Sequence, residues 1–404
     1  MLGWQADTVW VGEPAVRLNH DIIIFHQAVL DEHVERIVER ARATGCILVY
    51  DMDDLTVGAD FVRHQAYKHG FDAKQMLALV ETTRRREALL RLCDACLVST
   101  DYLATVVAAY VPKPYILRNA LGRRDLEIAA TVTRHAVAAD GRVVLGYMSG
   151  TASHNYDFAE IANVLGQIME RYPQVYLQVT GPLEIPKTLD RFGHRVRQLP
   201  IVPWEYLYGI IASVDINLAP LELGEPFCMA KSEVKYMEAG LVGVPTIASS
   251  IGAFQYAIHS GENGLLANTA AEWLQALEHL IKAPDLIMSL GKAAREDVLE
   301  RYHPAKRSVE VKAILGQLSA GNGTGSTPLS DPDRMSALVV RHDFGIPIAQ
   351  RPPLFPPTRH SVKVLLQLLR RRVVYEGLSR TLWHLATWPL RIPGNLWQRT
   401  SSIH

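Results

Sequence analysis

The sequence predicts an α/β protein made of two doubly wound domains. Three observations carry that expectation. Short β-branched runs alternate with helical periodicity through roughly the first 120 residues, an irregular stretch interrupts them at 122–140, and the alternation then resumes to about residue 318. Strands that alternate with helices imply a mostly parallel sheet covered on both faces. A chain of 404 residues is long enough to bury two separate cores.

The first domain is expected over 1–135. Asp21–Gln27 (DIIIFHQ) reads as a strand. Leu30–Thr44 has helical periodicity, and Gly45 is a natural stop. Ile47–Tyr50 is a second strand and runs into the acidic turn Asp51-Met52-Asp53-Asp54. Ala73–Leu92 reads as a long helix carrying Arg84, Arg85 and Arg86. Cys96–Ser99, Tyr102–Tyr110 and Tyr115–Leu117 follow as strand, helix and strand, ending near Asn119. Residues 122–140 read as an interdomain connection. The second domain is expected over 141–318, with strands at Arg142–Met148, Val175–Thr180, Val196–Leu199, Ile216–Ala219, Thr246–Ala248 and Gly264–Leu266. Gly321–Ser330 (GNGTGSTPLS) has linker composition, and four prolines lie in Arg351–Pro357, so 319–357 is expected to be a flexible linker. The last segment, 358–404, reads as a basic amphipathic helix: it holds seven Arg and one Lys against the single Glu376, and three of the seven Trp.

Composition is that of an ordinary globular protein, 48% hydrophobic and 21% charged, with zero net charge, which gives no reason to expect nucleic acid. Four cysteines are too few for a disulfide framework and fit a reducing compartment. Cys93-Asp-Ala-Cys96 has no second pair to complete a zinc site, so buried free thiols are the preferred reading. There is no run of 18 apolar residues, so no transmembrane helix is expected, and the N-terminus shows no signal-peptide pattern.

The stretch Phe227–Ser249 is the most informative. It reads as one amphipathic helix entering a buried strand, with Lys231, Lys235 and Glu238 on one face by their spacing of four and three. Lys231 lies near the start of that helix, with the Ser232 hydroxyl beside it, where backbone N–H groups and the macrodipole favour an anion. A diphosphate fits such a site, and Glu238 one turn on can accept from a sugar hydroxyl. The plainer reading is a solvated face with a Lys235/Glu238 pair. Two doubly wound domains also create a cleft at the carboxyl ends of their strands. The turn Ser149-Gly150-Thr151, His154 with Asp157, and Gly181-Pro182 all fall at such ends.

With these residues in order, the second domain from Val143 to Tyr302 resembles the nucleotide-binding domain of GT-B fold glycosyltransferases, most closely retaining family 4. The residues that carry the resemblance are Gly146–Thr151 with His154 and Asp157, Val179–Gly181, Phe227, Lys231-Ser232, Lys235, Glu238 and Gly243–Ser249. The resemblance implies two Rossmann-like domains facing a cleft, with Glu238 on the donor ribose and Lys231 facing the diphosphate. It also places the loop from Ser250 beside the sugar and phosphate. The first domain is similar to enzymes of bacterial surface-polysaccharide synthesis through YDMDDL (Tyr50–Leu55), DACLVSTDYLA (Asp94–Ala104) and ILRNAL (Ile116–Leu121). There are two departures. Ala230 stands where the family commonly has a glutamate, eight residues before Glu238, and the first domain looks shortened at its start.

The implied activity is transfer of a sugar from a UDP-, GDP- or dTDP-sugar to a hydroxyl acceptor, glycan or lipid-linked. Lys231, Lys235, Glu238 and His154 are expected in catalysis. Ser149, Gly150, Thr151, Gly181, Ser232 and Ser250 are expected to join Lys231, Lys235 and Glu238 in donor binding. No metal and no cofactor are expected. Asp51, Asp53 and Asp54 have the spacing of a divalent-cation site, but a structural turn or a contact to acceptor hydroxyls is the preferred reading. The tail reads either as a membrane-surface helix or as a helix packed on the first domain, so the protein is expected in the cytoplasm and at the inner membrane face. The alternatives are a non-catalytic nucleotide-sugar-binding module and a nucleotide-sugar epimerase of the same fold.

Overall fold

The computed structural model describes residues 5–11, 19–134, 140–151, 154–321 and 336–341. The basic segment expected at 358–404 lies outside the described residues. Two parallel six-stranded sheets organise the rest, as the alternation predicts.

The first sheet contains β1 (Gln5–Trp10), β2 (Ile22–His26), β3 (Ile47–Met52), β4 (Ala95–Val98), β5 (Pro114–Ile116) and a late strand, β12 (Ser336–Arg341). Its helices are α1 (Glu32–Ala43), α2 (Gly58–His69), α3 (Ala73–Leu92) and α4 (Asp101–Val107). Local chemistry sets the helix starts. Asp31 accepts from the N–H groups of His33 and Val34, and Asp72 with Gln75 forms a capping box.

Next come α5 (Arg123–Thr131) and the second sheet: β6 (Val143–Met148), β7 (Val175–Thr180), β8 (Val196–Leu199), β9 (Ile216–Ala219), β10 (Thr246–Ser249) and β11 (Leu265–Ala267). Helices α6 (Asn155–Arg171), α7 (Trp204–Ile211), α8 (Pro226–Ala230), α9 (Val234–Leu241), α10 (Ala253–Ala257), α11 (Ala270–Lys282) and α12 (Pro284–Arg301) surround it, and α13 (Pro304–Gly321) follows. The strand order β11-β10-β9-β6-β7-β8 reverses direction between β6 and β9. A crevice opens at the carboxyl ends of strands at such a switch point.

Three expectations need correction. Residues 319–357 are not linker throughout, because β12 lies within them. It pairs in parallel with both β1 and β2, setting Leu338 against Asp7 and Ile23, and Val340 against Val9 and Phe25. The run SALVVR can do this because a strand between two parallel neighbours needs apolar side chains on both faces. Leu338 and Val340 are 1% and 0% exposed. The second domain also does not extend to 318. Leu315 and Leu318 of α13 pack on Ile22, Ile47, Val49, Ala95 and Leu97 of the first sheet. Finally, the connection at 122–140 contains a helix, α5, whose Asp125 carboxylate accepts from the Gly122 N–H at 2.6 Å and whose Ala129 is buried in the second core.

β12 therefore completes the first core from a distant part of the chain. Leu338→Ala should destabilise the protein by about 2–5 kcal/mol, the usual cost of a buried leucine. Denaturant unfolding measures it, and a loss below about 0.5 kcal/mol would mean that β12 does not hold the sheet.

Candidate active site

The stretch expected to be one helix is two. Helix α8 ends at Ala230, Lys231 is extended (φ −61°, ψ 140°), and α9 begins only after Glu233. Helix α8 reaches both cores, its Cys228 lying in that of the second sheet, whereas α9 enters the second core alone. In α8, Ala230 joins the buried core of the first sheet, and Phe227 stacks on His64 of α2 with ring centroids 4.0 Å apart. In α9, Tyr236, Met237, Ala239 and Leu241 enter the core of the second sheet. Lys231 and Ser232 form the bend between them. Lys231 is thus not inside a helix start but just ahead of one.

The bend still brings the expected groups together. A cleft of about 390 Å³ is lined by Lys231, Ser232, Lys235, Glu238, Ser149, Gly150 and His154. Ile201, Val202, Trp204 and Leu207 form an apolar wall, and Thr180 and Asp54 contribute polar groups. Thr180 Oγ1 is buried without a hydrogen-bond partner among the described residues, so its hydroxyl is available to a ligand.

Asp157 of α6 organises this group. It is 2% exposed. Its Oδ2 accepts from Lys231 Nζ at 2.7 Å and faces His154 Nδ1 at 3.0 Å. Its Oδ1 accepts from the Glu222 N–H at 3.2 Å and from Cys228 Sγ at 3.3 Å. A carboxylate only accepts, so His154 carries its proton on Nδ1. Burial, outweighing the hydrogen bond to Asp157, lowers the His154 pKa and favours the neutral ring. Nε2 is then a hydrogen-bond acceptor, which suits a hydroxyl better than a phosphate.

Lys235 Nζ donates to the Met148 carbonyl at the end of β6. Burial lowers its pKa, with Glu238 pulling the other way. Burial likewise raises Glu238, with Lys235 opposing. An anion placed nearby would favour the Lys235 ammonium.

The remaining predicted residues lie outside this lining. Gly181 (φ +96°) sits behind Ser149, and a Cβ there would come within 1.8 Å of the Ser149 carbonyl oxygen. Its role is close packing under the turn. The Thr151 carbonyl accepts from Ser149 Oγ at 2.9 Å. The Ser250 N–H donates to Asn268 Oδ1 at 2.9 Å. The four cysteines are free and buried. Sequence reasoning missed the part played by Asp157, although the His154–Asp157 spacing of three on a helix start signals it. It also missed the apolar wall, for which the sequence carries no signal.

Two Rossmann-like sheets with the site at the strand ends of the second define a GT-B fold, and solved structures agree. Sucrose-phosphate synthase from Thermosynechococcus elongatus gives a TM-score of 0.53 at 17% identity, covering 75% of this chain and 74% of that one. Anabaena HepE in complex with UDP and glucose gives 0.51 at 16% identity, covering 73% and 77%. Residues 142–283 match the family described as glycosyl transferases group 1, so the chain carries a domain of that family. D-inositol 3-phosphate glycosyltransferase of Corynebacterium urealyticum is 30% identical over 166 residues, 37% of this chain and 38% of that protein. Its counterpart in Corynebacterium efficiens is 24% identical over 182 residues, 42% and 41%. The chain thus spans about two fifths of the length of these curated relatives.

The Asp157 pairing has a pH signature. Burial pushes this carboxyl up, but the His154 hydrogen bond and the Lys231 ammonium outweigh it and hold the group well below its ordinary value of 3.8. The folded pKa is the lower one, so the pairing contributes stability that is present above pH 3.8 and is lost as pH falls toward the folded value. The stability difference between wild type and Asp157→Asn should be largest at neutral pH and should narrow below about pH 4. Denaturant titrations across pH measure this, and a constant difference would count against it.

Proposed function

We propose that the chain is a glycosyltransferase that moves a sugar from a nucleoside-diphosphate sugar to a hydroxyl acceptor, with retention and without a metal. The convergence of Lys231, Lys235 and Glu238 on one cleft at the β6/β9 switch point carries this reading. The donor base lies against Ile201, Val202 and Trp204. Glu238 accepts from a ribose hydroxyl. Lys231, Lys235 and the Ser149–Gly150 turn hold the diphosphate, and His154 Nε2 accepts from a sugar hydroxyl. HepE, which shares the fold, has been solved with UDP-glucose, and this supports a nucleotide-hexose donor.

In the reaction, the bond from the anomeric carbon to the diphosphate oxygen breaks and its electron pair leaves with the diphosphate. The acceptor oxygen bonds to the anomeric carbon, and its proton passes to the departing diphosphate. Negative charge grows where the two ammonium groups already stand, which is preorganised electrostatic stabilisation. Exclusion of water protects the donor from hydrolysis. The first domain faces the acceptor, a glycan or a lipid-linked sugar in surface-polysaccharide or glycolipid synthesis.

One observation favours a second reading, a binding module that does not turn over. Position 230 is fully buried in the first domain's core and offers the cleft no carboxylate. Donor binding without transfer or hydrolysis would decide for that module.

A thermal-shift panel of UDP-, GDP- and dTDP-sugars tests the main reading. A ligand at a hundred times its Kd adds about 2.7 kcal/mol, so a hit should raise Tm by several degrees. Lys235→Ala should weaken binding of the hit by about tenfold or more and slow transfer about a hundredfold. No hit in the panel would overturn the proposal.

The tail is proposed to bind the inner membrane surface through its arginines and tryptophans. Removing residues 358–404 should abolish co-sedimentation with anionic liposomes. Equal sedimentation with and without the tail would exclude that role.

A further inference from the structure

Among the described residues that line the cleft, Asp54 is the one contributed by the first domain. It belongs to the turn after β3, and with Asp51 of that strand and Asp53 it makes three carboxylates within four residues. Two of them are spent on holding the turn. Asp51 Oδ2 pairs with His26 Nδ1 at 2.7 Å. Asp53 accepts from the Gln27 side-chain amide, and its carbonyl accepts from Ser99 Oγ at 3.0 Å. Gln27 adopts φ +47° at the end of β2, a conformation that costs a non-glycine residue energy and persists where its surroundings impose it. Met52 and Leu55 anchor the turn from the core on either side of Asp54. The backbone at Asp54 is therefore fixed, while its carboxylate makes no hydrogen bond or ion pair with the described residues.

We propose that Asp54 binds a hydroxyl of the transferred sugar and so selects the donor, an inference that rests on the cleft being a nucleotide-sugar site. A free carboxylate repels phosphate, so the polar group it can hold in this cleft is a hydroxyl donor. A cation is a poor alternative, because the neighbouring Asp51 and Asp53 carboxylates are already engaged by His26 and Gln27. The sugar is covalently attached to the diphosphate, and the diphosphate-facing Lys231 and Ser232 line the same cleft as Asp54. Surrounding protein and Asp53 raise the Asp54 pKa to about 6 although the residue is open to the cleft, while Lys231 opposes the rise. The group is thus mainly ionised above pH 7, and a carboxylate that accepts from a hydroxyl makes a charge-assisted bond. Glu238 and Asp54 then hold hydroxyls from opposite domains, one on the ribose and one on the sugar.

The experiment is calorimetric titration of the full chain, as wild type, Asp54→Asn and Asp54→Ala. The probes are UDP, GDP and dTDP against UDP-glucose, GDP-mannose and dTDP-glucose. In wild type the nucleotide sugar should bind more tightly than its parent diphosphate. Asp54→Ala should leave diphosphate affinity unchanged or tighter, since a negative charge leaves the cleft, and should weaken the nucleotide sugar by about tenfold. Asp54→Asn should fall between, because its amide oxygen still accepts. The inference is overturned if Asp54→Ala leaves nucleotide-sugar affinity intact, as a residue facing only the acceptor would, or weakens diphosphate and nucleotide sugar equally. Wild type that binds none of the three diphosphates would bring down the glycosyltransferase reading itself, which is a separate result.

Discussion

The buried Asp157 carboxylate is the constraint on which the site depends. A charge taken out of water survives only if it is paired and hydrogen-bonded. Asp157 meets that demand with four donors from three places: His154 at the start of α6, Glu222 after β9, and Cys228 and Lys231 around α8. The same contacts set the His154 tautomer and fix Lys231 in the bend. Removing any one donor would leave part of a buried charge unpaired, so the arrangement of the strand-end loops and the position of the lysine are one problem with one solution. Gly181 supports it from behind, since only a residue without a Cβ lets the β7 turn lie against the Ser149 carbonyl.

The cleft is also held from the first domain. Phe227 stacks on His64, Glu225 Oε1 stands 3.2 Å from His64 Nδ1, and Lys68 pairs with Glu222. The Asn119 amide donates to Ser232 Oγ at 2.8 Å, so the bend that carries Lys231 is gripped from both sides. The chain passes between the two domains at α5 and again from α12 to α13, and α8 places Ala230 in the first core and Cys228 in the second. A segment that contributes to two cores cannot shift in one without disturbing the other. The position of Lys231 in the cleft and the relative placement of the two sheets are therefore coupled through residues 222–232.

Most of the strand and helix pattern was legible because it is written in local periodicity. The second sheet's strands fall within a residue or two of their expected bounds. What escaped was tertiary in origin. The run SALVVR is six residues long and follows a Gly- and Ser-rich stretch, so nothing local distinguishes a central strand from a linker; the vacancy between β1 and β2 decides it. The stretch from Phe227 keeps helical spacing throughout, and only the competing demands of two cores break it at Lys231. The spacing of Lys231, Lys235 and Glu238 still predicted their convergence, because α9 resumes close enough to the original phase to keep all three on the cleft. At the end of β3 and in the turn after it, the sequence shows three carboxylates but not which two are consumed, since their partners His26 and Gln27 lie at the end of β2 and just past it.

Ala230 and Asp54 are then two sides of one packing decision. Docking α8 on α2 and α4 puts position 230 in a dry core, where the Thr100 hydroxyl donates to its carbonyl at 3.3 Å. A glutamate there would have to bury an unpaired carboxylate or push α8 off the first domain, at a cost of several kcal/mol, order ~3–5. Small size at 230 is what allows α8 to lie down. With α8 docked, the first domain meets the second along residues 222–232, and Asp54 after β3 lines the same cleft as Lys231. A carboxylate lost from one wall by close packing is thus matched by a carboxylate present on the other, and the packing that excludes the first is the packing that holds the second in place.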